Sequence, residues 1–405
     1  MSKKRIALVV PAGTSGTVPS FTIGGGLWAV ARFLHKIITE SGQYQPEIIS
    51  LASSVRDEAS VRLLRPTSWF GNPRIIEGLW DDGMQFRHAG ARFCEFEFQR
   101  YRPRPVLTEL LNQYDLVQVV AGAPSWAFVA RDVQRPTCLF TATTIRQERV
   151  PFLQRATGWR KYWLAAMTNI VAGIEQRALT HVSCVFAESD YTYQTLSPSV
   201  APDKLVLALP GVDTQLFHPT SYCPDGYILS VGRFSDARKN VRLLFEAYHR
   251  LRQLLPTAPQ LVLAGRTGPS ENDWAYAVSL GIADSVEVHE GPSMDELSRL
   301  YQGASLFVLS SDEEGLGIVI LEAMASALPV VSTDCGGPRT AVTEGETGYL
   351  TPVGDAQSLA RRMQDLIEDP ALRRRMGEAG YEVVQQRFSL SATGRTYLER
   401  YDALL

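Results

Sequence analysis

Short, nearly uninterrupted apolar runs alternate with longer amphipathic stretches through this chain, and the pattern occurs twice. The first half carries RIALVV (5–10), PEIISLA (46–52), LVQVVA (116–121), TCLFTA (137–142), CVFAES (184–189) and LVLALP (205–210). The second carries YILSVG (227–232), LVLAG (261–265), SVEVHE (285–290), SLFVLS (305–310) and PVVSTD (329–334). Between them lie helical patterns such as LWAVARFLHKII (27–38), LAAMTNIVAGIEQRAL (164–179), VRLLFEAYHRLRQLL, DELSRLYQGA and IVILEAMASA. Strands apolar on both faces belong to parallel sheets covered by helices on either side. The fold class is therefore α/β, with two Rossmann-like domains whose parallel sheets face a central cleft. Ligands of such sheets bind at the strand carboxyl ends.

A chain of 405 residues is too long for one ordinary core. The boundary is expected in PGVDTQLFHPTSYCPDG (210–226), rich in proline and glycine. Residues 55–104 are the least periodic; within them RFCEFEFQRYRPRP reads as an alternating strand. FSLSATGRTYLERYDALL reads as a capped terminal helix. A net charge of −3 gives nucleic acid no support as a partner. The five cysteines lack CxxC spacing and read as buried thiols of a reducing cytosol. The opening MSKKRIALVVPAG is too short in its apolar run for a signal peptide, and no run reaches membrane-spanning length. The expected location is cytoplasmic, or peripheral on the inner face of the membrane.

Three glycine turns carry the candidate chemistry. In SDEEGLGIVILEAM (311–324), Glu314 and Glu322 stand eight positions apart around Gly315 and Gly317. On one helix they would be about 12 Å apart along the axis. With Glu314 in a loop and Glu322 in the second turn of the next helix, both can face one elongated, hydroxyl-rich ligand. In LSVGRFSDARKNVRLL, Arg233 and Lys239 flank a turn and suit a diphosphate, with Arg238 beside them as a competing cation. In VVPAGTSGTVPSFTIGGGLWAV, Gly24, Gly25 and Gly26 precede a helix, an arrangement that binds anions or hydroxyls. The pattern is not GxGxxG, which argues against a dinucleotide oxidoreductase. Each cluster taken alone also fits solvated charges or tight packing.

Taken together, these segments resemble the retaining glycosyltransferases of family 4. EGLGIVILEAMASALPVV resembles that family's EX7E signature, VGRFSDARKN its phosphate loop, and LPGVDTQLFHP its interdomain stretch. TDCGGPRTAVTEGETGYLTPVGD is similar to the segment that follows the signature. The resemblance implies the GT-B fold, with an acceptor-side domain over 1–215, a donor domain over 216–387 and a terminal helix over 388–405 crossing back. It implies a UDP- or GDP-sugar donor as co-substrate, no other cofactor, and an acceptor that is a glycan, a lipid-linked sugar or a small molecule. Glu314 would then bind the donor sugar's hydroxyls, helped by the backbone of Gly315, Leu316, Gly317 and Ile318. Glu322 would bind the ribose, Arg233 and Lys239 the diphosphate, and Ser293, in EGPSMDEL, would meet the base. Gly25 and Gly26 would lie under the diphosphate or by the acceptor. The chain departs from the family near Thr143, where a histidine is frequent, and at Ala327 and Thr340, where glycine and glutamate are frequent.

No aspartate-x-aspartate pair ends a strand, so no catalytic metal is expected, and the family implies front-face transfer with retention. Two rival readings are a scaffold that binds a sugar nucleotide without catalysis and a sugar-nucleotide epimerase. WRKYWLAAM (159–167) mixes basic and aromatic residues before a helix. It reads either as a segment packed on the amino-terminal sheet or as a contact with anionic lipid.

Overall fold

The computed structural model describes residues 3–11, 26–79, 84–220 and 225–405. The chain forms two compact units. Unit 1 comprises Met1–Thr22, Val30–Leu209 and Gly394–Leu405; unit 2 comprises Ile23–Ala29 and Pro210–Thr393.

Unit 1 holds an eight-stranded sheet. Its strands are β1 (Lys4–Pro11), β2 (Tyr44–Leu51), β3 (Ile75–Leu79), β4 (Gln85–Ala89), β5 (Leu116–Ala121), β6 (Thr137–Thr141), β7 (Cys184–Ala187) and β8 (Leu205–Leu207). The order is β3-β4-β2-β1-β5-β6-β7-β8, parallel except for the β3/β4 pair. All six residues of β5 are buried, which is why its sequence is apolar on both faces. Helix α1 (Gly26–Glu40) buries Val30, Phe33, Leu34, Ile37 and Ile38, a stripe at helical spacing. Helix α2 spans Gly158–His181.

The terminal helix, Leu390–Leu404, is capped by Ser389, whose hydroxyl accepts from Ala392 N–H. Its later turns belong to unit 1. There Tyr397 donates to the Ala208 carbonyl at 2.7 Å and Tyr401 to the Gln118 side chain at 2.9 Å.

RFCEFEFQRYRPRP is not a strand. Glu97–Arg100 is a short helix, and the buried Arg104 donates to the carbonyls of Ala89, Gly90 and Arg100. Those oxygens are satisfied by a guanidinium, so the polar–apolar alternation here is not a pairing signal.

Unit 2 holds a six-stranded, wholly parallel sheet in the order β11-β10-β9-β12-β13-β14. The strands are β9 (Tyr227–Arg233), β10 (Leu261–Thr267), β11 (Val286–Glu290), β12 (Ala304–Leu309), β13 (Val330–Thr333) and β14 (Gly348–Thr351). Helices α3 (Val241–Leu254), α4 (Met294–Gly303) and α5 (Ile318–Ala325) are among those that cover it. The strand order reverses between β9 and β12, and at such a point the loops on the carboxyl edge diverge and leave a crevice. No helix among the described residues is long and apolar enough to cross a membrane.

Candidate active site

The loops that follow β9 and β12 meet at this reversal and are tied to each other. Asp236 accepts from Arg238 N–H and shapes the turn after β9. Asn240, in the left-handed region at φ 44°, caps α3 through Leu243 N–H and donates to Asp312 at 2.7 Å. Ser310 donates to the Lys239 carbonyl at 2.9 Å, and Asp312 N–H to the Arg238 carbonyl at 2.7 Å. Asparagine tolerates this backbone conformation better than most residues, which explains its place at the helix entrance.

Between the two loops, Lys239 Nζ lies 2.5 Å from Glu314 Oε1, and the Ser311 hydroxyl donates to the same oxygen at 2.6 Å. Burial on its own would raise the Glu314 carboxyl. The Lys239 charge and hydrogen bond, with the Ser311 bond, outweigh it and hold the group below its ordinary value. Glu314 is thus an ionised acceptor fixed beside a cation.

The segment after β13 secures the Glu314 backbone. Gly337 N–H donates to the Glu314 carbonyl at 3.0 Å. A Cβ at Gly337 would lie 2.1 Å from the Gly315 carbonyl oxygen, so only glycine permits this approach. Gly317, at φ 87°, turns the chain into α5. Leu316 and Ile318 bury their side chains, leaving backbone as what this turn offers a ligand.

Glu322 sits in the second turn of α5, only 7% exposed, and accepts from the Tyr301 hydroxyl at 2.8 Å. Burial pushes its carboxyl up to about 7, against the lowering effect of the Tyr301 bond. Tyr301 escaped sequence reasoning: it is one apolar-face residue of α4, and nothing in its spacing points to Glu322.

The cations divide their work. Arg238 is engaged by Asp236 at 2.8 Å and Glu313 at 3.3 Å, as part of the loop's frame. Arg233 is about half-exposed and contacts Asp236 at 3.1 Å. Burial, opposed by both arginines, leaves the Asp236 carboxyl lowered to about 2. Arg266, at the end of β10, has its pKa lowered first by burial and then by the charge of Arg233. The like charge of Arg233 bearing on Arg266 marks an anion-attracting edge. Its signal was present in LVLAGRTG, a strand, glycine and arginine in the same order as LSVGRFS.

Ser293 caps α4 in a reciprocal arrangement with Glu296. Beside it, His289, Glu290, Gly291, Pro292, Glu296, Arg299 and Leu300 line a cavity of about 440 Å³, which does not include Glu314 or Lys239. Gly26 opens α1, while Gly24 and Gly25 lie outside the described residues. In unit 1, Thr143, near which a histidine is frequent in family 4, is buried with its hydroxyl near Gln147. Close by in sequence, at the carboxyl ends of β5 and β6, is a cavity of about 370 Å³. Its lining includes Tyr101, Trp126, Glu148, Phe152, Leu164 and a partly buried Arg149–Glu97 ion pair.

The chain has relatives among known proteins. Residues 214–383 match the glycosyl transferases group 1 family. The chain is 34% identical over 172 residues to the lipopolysaccharide core biosynthesis glycosyltransferase LpsE of Rhizobium meliloti, covering 42% of this chain and 48% of that protein. It is 29% identical over 339 residues to the alpha-maltose-1-phosphate synthase of Mycobacterium tuberculosis, covering 74% of this chain and 86% of that one. The chain spans about half the length of most of the curated relatives it matches. Sucrose-phosphate synthase from Thermosynechococcus elongatus superposes with a TM-score of 0.75 at 22% identity, over 99% of each chain. Anabaena HepE, in complex with UDP-glucose, gives 0.69 at 16% identity, over 99% of this chain and 100% of that one. The fold is GT-B, the two-domain α/β architecture of these glycosyltransferases.

Proposed function

We propose that the protein is a retaining glycosyltransferase that moves a sugar from a nucleoside-diphosphate sugar to an acceptor hydroxyl. The observation that carries this reading is the Lys239–Glu314 pair at the reversal of the unit 2 sheet. A fixed carboxylate accepts hydrogen bonds from sugar hydroxyls, and the adjoining ammonium takes a phosphate oxygen. Arg233 supplies a second cation for the diphosphate, and Arg266 adds its field. Glu322, ionised in part near neutral pH, takes the ribose hydroxyls at the far end of the donor. UDP-sugars are favoured, because the structurally similar HepE is held with UDP-glucose. We assign the acceptor to unit 1.

In the reaction the bond from the anomeric carbon to the phosphate oxygen breaks, and its electron pair goes to the diphosphate. Lys239 and Arg233 stabilise that charge, as do the free N–H groups at the start of α5. The acceptor oxygen attacks from the face the diphosphate leaves, and its proton passes to the departing phosphate oxygen, so the anomeric configuration is kept. No metal ion is needed in this scheme. The rival readings of a non-catalytic scaffold and an epimerase find no favour among the relatives, whose names are those of transferases and synthases.

A thermal-shift panel of UDP-, GDP- and ADP-sugars, followed by hydrolysis and transfer assays with and without EDTA, tests the reading. Saturation at a hundredfold the dissociation constant should stabilise by about 2.7 kcal/mol. Glu314→Ala should lose about a hundredfold or more in turnover, the scale of deleting an aligned polar group. Near-normal turnover in that variant would overturn the assignment.

A further inference from the structure

We propose that the amino-terminal half of α2 is a docking surface for an anionic lipid bilayer. This rests on the glycosyltransferase reading only for its purpose, since the surface stands on its own geometry. Helix α2 buries one face and leaves an aromatic stripe exposed on another. One face buries Thr168, Val171, Glu175, Ala178 and Leu179 within unit 1. The other carries Trp159, Tyr162, Trp163, Ala166 and Ile170, spaced i, i+3, i+4, i+7 and i+11, one stripe along about 16 Å of helix. Trp159 and Tyr162 are each 79% exposed, Trp163 is 58% and Ile170 47%. The buried face begins at Thr168, beyond WRKYWLAAM, and packs mainly against Pro124–Ala130, while residues 159–167 are exposed or half-buried.

The composition of the patch selects its occupant. Tryptophan and tyrosine have an apolar body and a polar tip, and they settle where hydrocarbon meets water. Arg160 is exposed at the border of the stripe, Lys161 is exposed further round the same turn, and Arg155 is exposed just before the helix. Cations flanking a helical aromatic stripe complement a negatively charged headgroup layer. The same segment reaches the unit 1 cavity, because Leu164, next to Trp163, lines it together with Phe152.

The test is co-sedimentation of the full chain with extruded vesicles of phosphatidylcholine alone, or with one-third phosphatidylglycerol, at low and high salt. Wild type should bind the anionic vesicles at low salt and release as salt screens the cations. Replacing Arg160 by glutamine should weaken binding about fivefold. The triple variant W159A/Y162A/W163A should lose binding at least tenfold while keeping the thermal shift given by UDP-glucose. That retained shift separates failure of this surface from failure of the glycosyltransferase reading. Absence of wild-type binding at low salt, or equal binding by the triple variant, overturns the proposal. So does a wild-type dimer that the triple variant converts to monomer in sedimentation velocity, since a second copy would then own the stripe.

Discussion

Replacing Glu322 by glutamine should make the protein more stable and a poorer binder of its donor. The carboxyl is buried and raised to about 7 from an ordinary 4.5. For a group raised in the folded state, its contribution to stability is full below the unfolded value and is lost as pH rises through the folded one. At 1.36 kcal/mol for each tenfold, the ionised carboxylate at pH 8 leaves the fold about 3 kcal/mol less stable than it would be with the proton in place. Glutamine removes the charge and keeps an oxygen to accept the Tyr301 hydroxyl, so most of that cost should disappear. Urea unfolding should therefore give Glu322→Gln an advantage approaching 3 kcal/mol at pH 8 and below about 1 kcal/mol at pH 5. Glu175, also raised to about 7 by burial, is present in both proteins and cancels from the difference. Donor affinity, by calorimetry at pH 8, should fall at least tenfold, because ribose hydroxyls lose a charged acceptor. A variant less stable at pH 8, or one with the same offset at both pH values, would refute the reasoning.

Other substitutions probe the same loops. Lys239→Met should cost about 3 kcal/mol at pH 8, since it leaves the Glu314 carboxylate buried without its cation. The loss should shrink toward pH 5 as the unopposed effect of burial lets Glu314 take a proton, and urea midpoints at the two pH values would check both. Ala327→Gly should stabilise the protein by roughly 1 kcal/mol in the same assay, because Ala327 holds a left-handed backbone at φ 57°.

Much of the architecture was legible because buried parallel strands must be apolar on both faces. Each of the apolar runs named from the sequence overlaps a strand of the structure, β12 and β13 among them. The strands that escaped were β3, β4 and β14. These lie at or next to a sheet edge, where IIEGL, QFRHA and GYLT need only partial burial and show no apolar run. RFCEFEFQRYRPRP failed for the opposite reason, since its alternation serves a buried arginine and a short helix.

At the candidate site, strand and turn spacing marked Lys239 and Glu314 as separate clusters, and the resemblance to family 4 joined them in one hypothesis although 75 residues separate them. Tyr301 could not be read this way, as its partner is set by the packing of α4 on α5. Arg266 could have been, had LVLAGRTG been compared with LSVGRFS. Ala327 stands where the family favours glycine, and its positive φ is the physical reason for that preference.

The most direct test of the account is the structure of the protein with a bound UDP-sugar. The account predicts the diphosphate within hydrogen-bonding distance of Lys239 Nζ and the Arg233 guanidinium, sugar hydroxyls on Glu314, and ribose hydroxyls on Glu322. A donor bound away from the β9 and β12 loops, or one whose sugar faces neither carboxylate, would contradict it.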